Sequence, residues 1–216
     1  MKKTYIDNQY WNENYAEPDL MDGVYNAKEH LIYIKSIFDL EEVTIKSIVD
    51  LGFGLGHIFE QIPHYLKPYK LVGVEPSLSA FNQVSIKSEV LQGIKFRLYN
   101  ETIQDWIGRK DRFNQQFDLG ICNSVLQYLC DDELSETLDG LAQKVKYLYL
   151  SIPTNIEYKR QREEFGFVDQ YAYKRSKSFY MKLLKKNYTI VSSRLLESKV
   201  YFDDRSSNFS EYLFRL

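Results

Sequence analysis

Residues 48–62, IVDLGFGLGHIFEQI, join an apolar run that ends in an acid to a segment with three glycines at alternate positions. The chain has only ten glycines in 216 residues, so three of them within five positions indicate a backbone that turns sharply there. Glycine has no Cβ and adopts positive φ readily, which lets a bulky ligand approach the main chain. The stretch therefore predicts a β-strand that turns into a helix beneath a bound cofactor, although a tight turn without a ligand would also use such glycines.

The spacing of the glycines distinguishes two kinds of cofactor loop. The dinucleotide-binding loop has the pattern GxGxxG, and its third glycine would stand here at His57. The sequence instead runs Asp50-x-Gly52-x-Gly54-x-Gly56, which resembles the (D/E)xGxGxG motif of class I S-adenosylmethionine-dependent methyltransferases. The resemblance covers about residues 47–153. It implies that S-adenosylmethionine is the cofactor, that S-adenosylhomocysteine is the product, and that Asp50 supports the loop and the amino-acid end of the cofactor.

The second strand ends in KLVGVEPS, where Glu75 follows Gly56 by 19 residues. A carboxylate at this position can accept hydrogen bonds from both hydroxyls of a ribose. The resemblance implies this role for Glu75, with Pro76 beside it at the same strand end. A strand-end acid serves several nucleotide cofactors, so the choice of cofactor depends on the glycine spacing, and a dehydrogenase stays an alternative.

The third strand ends in RLYNETIQDW, where the family often has an acid that reaches the adenine amino group. This chain departs from the pattern because Asn100 stands there, although its carbonyl oxygen could accept the same hydrogen bond. Glu101 and Thr102 follow as further predicted cofactor contacts. The fourth strand ends in FDLGICNSVLQYL, where Cys122 and Asn123 are predicted to lie beside the methionyl part of the cofactor.

Predicted substrate contacts come from three segments. Gln127 and Tyr128 follow the fourth strand. In the N-terminal segment, aromatic residues at helical spacing resemble the pocket-lining segment of small-molecule methyltransferases. Basic residues follow the fifth strand and could hold a phosphate, although a solvated face would contain the same charges. The predicted contacts from these last two segments are Tyr10, Trp11, Tyr15, Arg160 and Arg162.

Candidates for a general base are few, because the chain has only three histidines. His30 lies in a predicted N-terminal helix, and His57 follows the glycine loop. Both are candidate catalytic residues, with a purely structural role as the alternative for each. The lack of an evident acid–base pair favours an acceptor that is already anionic or nucleophilic.

Composition and charge limit the class of protein. A net charge of −2 indicates no steering towards nucleic acid or anionic membranes, and the (N/D)PP(Y/F) element of many nucleic-acid methyltransferases is absent after Asn123. No signal peptide or membrane-spanning stretch is evident, so we expect a cytoplasmic monomer or homodimer without a membrane partner. Cys122 and Cys130 fit a reducing compartment, and the consecutive acids 131–133 suit a helix start, so no metal site is expected.

Apolar runs of strand length alternate with helical patterns, which predicts a parallel sheet with helices on both faces. Strands are expected at 47–51, 70–74, 94–99, 117–122 and 146–152, and an antiparallel pair at 189–196 and 209–216. With the resemblance, the predicted fold is α/β: a Rossmann-like doubly wound, mostly parallel seven-stranded sheet with an antiparallel last strand and an N-terminal helical lid.

Residues 1–216 are predicted to form a single methyltransferase domain. Residues 1–45 form the lid, 46–152 the cofactor-binding core, and 153–216 a substrate-side excursion and the closing strands. After Pro153 the sequence lacks clean periodicity, so an irregular segment is expected before a helix that begins near Ser176.

The predicted function is methyl transfer from S-adenosylmethionine to a small polar metabolite. Oxygen methylation of a sugar, a phosphorylated sugar or a surface-glycan precursor is favoured. The alternatives are N-methylation of an amine, a protein or RNA, and a non-catalytic accessory subunit that binds the cofactor.

Overall fold

The computed structural model describes residues 23–84 and 90–201. The chain divides into two compact units, Met1–Trp106 and Ile107–Leu216. The predicted substrate contacts Tyr10, Trp11 and Tyr15 lie outside the described residues, as does the predicted strand at 209–216. The described part contains no helix that is long and apolar enough to cross a membrane.

The first unit has a parallel three-stranded segment of sheet in which β2 lies between β1 and β3. Residues 48–51 of β1 and 71–74 of β2 are buried throughout, as expected for parallel strands with both faces covered. Their register places Asp50 opposite Gly73. The helices and strands are α1 (Ala27–Leu40), β1 (Ser47–Leu51), α2 (Ile62–Tyr65), β2 (Lys70–Val74), α3 (Leu78–Gln83), β3 (Lys95–Tyr99) and α4 (Ile103–Gly108). Helix α4 begins in the first unit and ends in the second, since the units divide after Trp106.

The second unit pairs β4 with β5 in parallel, and β7 is antiparallel to both β5 and β6. Buried leucines on one face of the helix after β4, Leu134, Leu138 and Leu141, contribute to its core. The elements are β4 (Phe117–Asn123), α5 (Asp131–Lys144), β5 (Val145–Ser151), α6 (Asn155–Phe165), α7 (Lys177–Asn187), β6 (Tyr188–Ile190) and β7 (Leu195–Ser198).

Within the described residues the strands form one mixed sheet in the order β3-β2-β1-β4-β5-β7-β6. This strand order is that of the doubly wound arrangement. The predicted seven-stranded, mostly parallel sheet with an antiparallel last strand is confirmed.

The segment predicted to be irregular after Pro153 contains an 11-residue helix, α6, whereas residues 166–176 are irregular and α7 follows Ser176 as predicted. Only Tyr158 of this helix is buried, so the sequence lacks the apolar stripe from which a helix is recognised. The structure shows what stabilises α6 instead. Lys159 pairs with Glu163 and Arg160 with Glu164, both at helical spacing, and Gly166 ends the helix with a φ of 67°.

The strand predicted at 189–196 is two strands, β6 and β7, which form their own antiparallel hairpin. The amide groups of Val191 and Ser192 both donate to the carbonyl oxygen of Leu195 and so close the turn between them. The sequence prediction gave one strand here because residues 191–194, which form the turn, contain neither glycine nor proline.

Candidate functional site

The segment that follows β1 is a turn with three glycines in the left-handed region. Gly52, Gly54 and Gly56 have φ values of 78°, 56° and 84°. The amide of Gly52 donates to the carbonyl oxygen of Val74 at 2.7 Å, which joins the start of the turn to the end of β2. A residue with a Cβ would be strained at each of these positions, so the glycine motif is explained by the backbone geometry.

The Glu75 side chain holds the glycine turn in place. Its Oε2 accepts the amide hydrogen of Gly54 at 2.9 Å, and its Oε1 accepts the amide hydrogen of Ser77 at 2.8 Å. Ser77 in turn caps α3, because its hydroxyl oxygen accepts the amide hydrogen of Ala80. One buried carboxylate therefore connects the glycine turn, the end of β2 and the start of α3.

Gly56 also meets a packing restriction. A Cβ built on it would lie 2.6 Å from Cγ2 of Val84, well inside the usual contact distance. Its carbonyl oxygen accepts the amide hydrogen of Glu60 at 2.8 Å, at the start of the short 3-10 helix Phe59–Gln61. The third glycine of the motif is therefore required by close packing as well as by its φ.

Asn100 follows β3 and has an oriented side-chain amide. Its Nδ2 donates to the carbonyl oxygens of Glu75 at 2.8 Å and Pro76 at 3.1 Å. With the nitrogen committed in this way, the side-chain oxygen is available as an acceptor. Pro76 itself is exposed, and its carbonyl oxygen is one of the two acceptors for the side chain of Asn100.

Two carboxyl groups are buried among the described residues of this unit, since Asp50 and Glu75 are each only 3% exposed. Burial, followed by the nearby Glu75, raises the pKa of Asp50 to about 8, although the amide of Leu51 opposes the shift. Burial also raises the pKa of Glu75 to about 6, and its hydrogen bonds from Ser77 and Gly54 limit the rise. For both acids, the hydrogen bonds offset only part of the free-energy cost of burying the ionised form.

The other predicted residues of the first unit have distinct positions. Thr102 uses its hydroxyl within the first turn of α4, where it donates to Asp105 Oδ2 and accepts that residue's amide hydrogen. Glu101 is half-buried beside it. His30 is buried on α1, whereas His57 is exposed, and its carbonyl oxygen accepts a hydrogen bond from Gln61.

In the second unit, Cys122 and Asn123 form the end of β4, where Asn123 is opposite Ser151 of β5. Ser124 follows with a φ of 55°, and its carbonyl oxygen accepts a hydrogen bond from Nε2 of Gln127 at 2.8 Å. Oε1 of Gln127 is buried and makes no hydrogen bond with the described residues. Gln127 therefore has a fixed amide with a spare acceptor.

Tyr128 lies next to Gln127 and pairs with an acid that the sequence analysis missed. Its hydroxyl donates to Oδ2 of Asp169 at 3.0 Å, and Asp169 is 3% exposed. Oδ1 of Asp169 accepts the amide hydrogens of Tyr171 and Ala172. The two partners are 41 residues apart, so no local sequence signal could have indicated the pair.

A second buried group in this unit is the guanidinium of Arg175. It donates to Asp131 Oδ1 through Nε at 2.9 Å and to the carbonyl oxygen of Leu129 at 2.6 Å. The backbone carbonyl of Arg175 accepts the amide hydrogen of Asn155 at 2.8 Å. Arg175 therefore connects the segments that leave β4 and β5. Burial raises the pKa of Tyr180, and the neighbouring Arg175 opposes the shift.

The two arginines predicted to bind substrate differ from Arg175, because Arg160 and Arg162 are exposed on α6. Arg160 pairs with Glu164 at 2.9 Å, in keeping with the solvated-face alternative. In the described residues, no group of three or more His, Cys, Asp or Glu side chains is arranged to hold a metal ion.

Several solved methyltransferase structures are similar to this chain. The small RNA methyltransferase HEN1 aligns with a TM-score of 0.64 and 16% identity over 80% of this chain, which spans only 25% of HEN1. The plantazolicin methyltransferase BpumL, solved with a monoazolic desmethylPZN analog and S-adenosylhomocysteine, aligns with a TM-score of 0.63 and 16% identity over 82% of this chain and 68% of its own.

An S-adenosylmethionine-dependent methyltransferase from Clostridium acetobutylicum ATCC 824 has a TM-score of 0.63 and 16% identity over 88% of this chain and 99% of its own. No protein-family model matches the sequence, and no curated protein matches it significantly. The fold is that of the class I S-adenosylmethionine-dependent methyltransferases, as the glycine motif predicted.

Proposed function

We propose that this chain is an S-adenosylmethionine-dependent methyltransferase. The observation that carries the proposal is the positive-φ glycine turn held to the buried Glu75 carboxylate by the amide of Gly54. The methyltransferase fold of the whole sheet supports it.

The side chains of the first unit fit this cofactor. Gly52 and Gly54 have no Cβ atom, which removes a steric obstacle to the approach of a ligand to the main chain at these positions. A carboxylate has about four acceptor positions, and Glu75 uses two for Gly54 and Ser77, which leaves acceptors for two ribose hydroxyls. The oriented oxygen of Asn100 is the proposed acceptor for the adenine amino group. Two buried acids also suit a ligand that carries a positive charge.

When bound, S-adenosylmethionine supplies a methyl group on its sulfonium for in-line transfer to the acceptor. The protein's own contribution is to position the reactants and exclude water, and alignment of this kind can lower a barrier by about 7–11 kcal/mol. The proposal assigns the cofactor to the glycine turn, Glu75 and Asn100. Cys122, Asn123, Glu101 and Thr102 stay predicted contacts.

Oxygen methylation of a small polar metabolite is the proposed reaction, with a sugar, a phosphorylated sugar or a surface-glycan precursor as acceptor. The Tyr128–Asp169 pair supports it. Within the second unit, the hydroxyl of Tyr128 is oriented by the Asp169 carboxylate, as suits a side chain that contacts a hydroxylated substrate. Gln127 offers a neighbouring buried acceptor atom. Arg160 and Arg162 stay the predicted contacts for a phosphate group.

Titration calorimetry with S-adenosylhomocysteine tests the cofactor assignment. We expect Glu75→Ala to weaken binding by about 10- to 100-fold, since charge-assisted hydrogen bonds contribute about 1.5–3 kcal/mol each. Glu75→Gln should retain part of the affinity, and Glu163→Ala on the exposed face of α6 is the matched control. Circular dichroism and thermal unfolding of each variant separate lost binding from lost structure. Undiminished affinity in Glu75→Ala would overturn the ribose assignment, and tight NAD binding without S-adenosylhomocysteine binding would favour a dehydrogenase.

An acceptor screen tests the reaction. The purified protein is incubated with S-adenosylmethionine and sugars, sugar phosphates, amines, peptides or small RNA, and S-adenosylhomocysteine release is measured. RNA and peptides are included because two similar structures are named for small RNA and plantazolicin methylation. Release only with hydroxylated metabolites supports the proposal. Cofactor binding without release in any mixture supports the accessory-subunit alternative.

A further inference from the structure

We infer that the buried pair of Asp50 and Glu75 holds one proton, on Asp50, when the cofactor is absent, and that the positively charged methyl donor expels this proton on binding whereas the uncharged thioether product does not. The inference rests on the proposed function and deepens it, because it states how the site distinguishes donor from product. Its basis is the placement of two buried carboxyl groups at one end of adjacent strands.

The geometry makes the two acids unequal. Both oxygens of Glu75 accept main-chain hydrogens, from Gly54 and Ser77, and hydrogen bonds of this kind favour the ionised form. For Asp50, the hydrogen bond from the amide of Leu51 lowers the pKa, whereas the charge of Glu75 raises it. The proton of the pair therefore resides on Asp50, and Glu75 carries the negative charge.

The charged side chains described around the pair are all exposed or half-buried. Among the described residues of the first unit, no lysine or arginine is buried. Next to the two strand ends, His57 is exposed after the glycine turn, and Glu101 is half-buried after β3. His30 is buried on α1.

The raised pKa values agree with this placement. With a pKa of about 8 for Asp50 and about 6 for Glu75, a solution at pH 7 leaves Asp50 mostly protonated and Glu75 mostly ionised. A cation beside a carboxyl group favours its ionised form. S-adenosylmethionine and S-adenosylhomocysteine differ in the sulfonium charge, so the difference between them isolates the effect of that charge.

The sign of the pH dependence follows from proton release. Because the donor binds the ionised form of Asp50, its affinity should rise with pH between about 6 and 8, by up to about tenfold for each pH unit. The affinity for S-adenosylhomocysteine should change less over the same range. At low pH the site should therefore discriminate least in favour of the donor.

Titration calorimetry of the full chain at pH 7, in phosphate, imidazole and Tris, measures proton release directly from the dependence of heat on buffer ionisation. The probes are S-adenosylmethionine, S-adenosylhomocysteine and sinefungin, which has an ammonium group in place of the sulfonium. We expect both cations to release up to about one proton more than S-adenosylhomocysteine. In Asp50→Asn the excess release and the steep pH dependence should disappear. The asparagine is isosteric with the protonated acid, so this variant should fold.

His30→Gln is the matched control and should retain the release. Loss of the release in His30→Gln with retention in Asp50→Asn would assign the proton to the histidine and overturn the inference. Equal proton counts for all three probes in the wild-type protein would also overturn it while leaving the proposed function intact. No binding of any probe would instead contradict the proposed function.

Discussion

Two clusters of buried charged side chains, one in each unit, differ in their partners. In the first unit Asp50 and Glu75 are both negative when ionised, and their described hydrogen-bond partners are main-chain amides. In the second unit the buried guanidinium of Arg175 has a carboxylate partner, Asp131, together with the carbonyl oxygen of Leu129. The described partners of the acid cluster therefore include no cation, whereas the guanidinium of Arg175 is paired with a carboxylate.

The difference indicates which cluster is structural and which is suited to a ligand. A paired charge with several hydrogen bonds holds chain segments together, as Arg175 does for the segments after β4 and β5. Two buried acids with no buried lysine or arginine among the described residues of their unit reduce the stability of the folded state, and groups with such perturbed pKa values concentrate at functional sites. The acids therefore mark the candidate binding site, and the following changes test the contrast.

The largest effect should come from Gly56→Ala in the glycine turn. The substitution combines a φ of 84° with an overlap against Val84, and should lower the free energy of unfolding by about 2–4 kcal/mol. Gly93→Ala is the matched control, because Gly93 has a φ of 80° with open space around it, and should lower stability by about 1–2 kcal/mol. Urea unfolding measures both, and equal losses would show that Val84 moves aside without penalty.

Removal of the paired cation in the second unit should have the next largest effect. Arg175→Ala should lower the free energy of unfolding by about 2–3 kcal/mol, because it removes buried charge-assisted hydrogen bonds to Asp131 and Leu129. Asp131 is itself exposed to solvent, which limits the loss. Arg160→Ala should change stability by less than about 0.5 kcal/mol, since its ion pair is exposed. Similar losses in both variants would contradict the distinction drawn between these arginines.

The unsatisfied acids should make stability fall as pH rises. Asp50 has a pKa of about 8 in the folded chain and 3.8 as its ordinary value, so the folded state binds the extra proton between these values. Stability should fall by up to about 1.4 kcal/mol per pH unit in this window. Asp50→Asn should remove this slope and be more stable than the wild type at pH 8. Unfolding at pH 6 and pH 8 measures it, with Asp39→Asn at an exposed position of α1 as the control. Parallel curves for wild type and Asp50→Asn would exclude Asp50 as the titrating group.

The smallest effect should come from the exposed ion pairs of α6. Glu164→Ala breaks the pair with Arg160 and should lower stability by about 0.3–0.5 kcal/mol. Hydrogen exchange of residues 155–165 should become faster while the exchange of β4 and β5 stays unchanged. Faster exchange throughout the unit would mean that α6 contributes more to the fold than its burial indicates.

The sequence predicted the parallel strands well because each is a short apolar run with distinct ends. β1 and β2 begin and end at the predicted residues, and β3, β4 and β5 each begin or end within one residue of the prediction. Helix α6 was missed because Tyr158 is its only buried residue, so an argument from apolar periodicity had nothing to detect. Its end was nevertheless signalled by Gly166, a residue type that favours the left-handed conformation found there.

The glycine motif and the acid after β2 were determined by the sequence alone, because local backbone geometry requires particular residue types at fixed spacing. Only the tertiary structure decided that Glu75 holds the turn through Gly54, that Tyr128 pairs with Asp169, and that Arg175 rather than Arg160 is buried. The partners of Tyr128 and Arg175 lie more than 40 residues away in the chain. Contacts of this kind depend on how the strands and helices pack, and the local pattern of residues does not encode them.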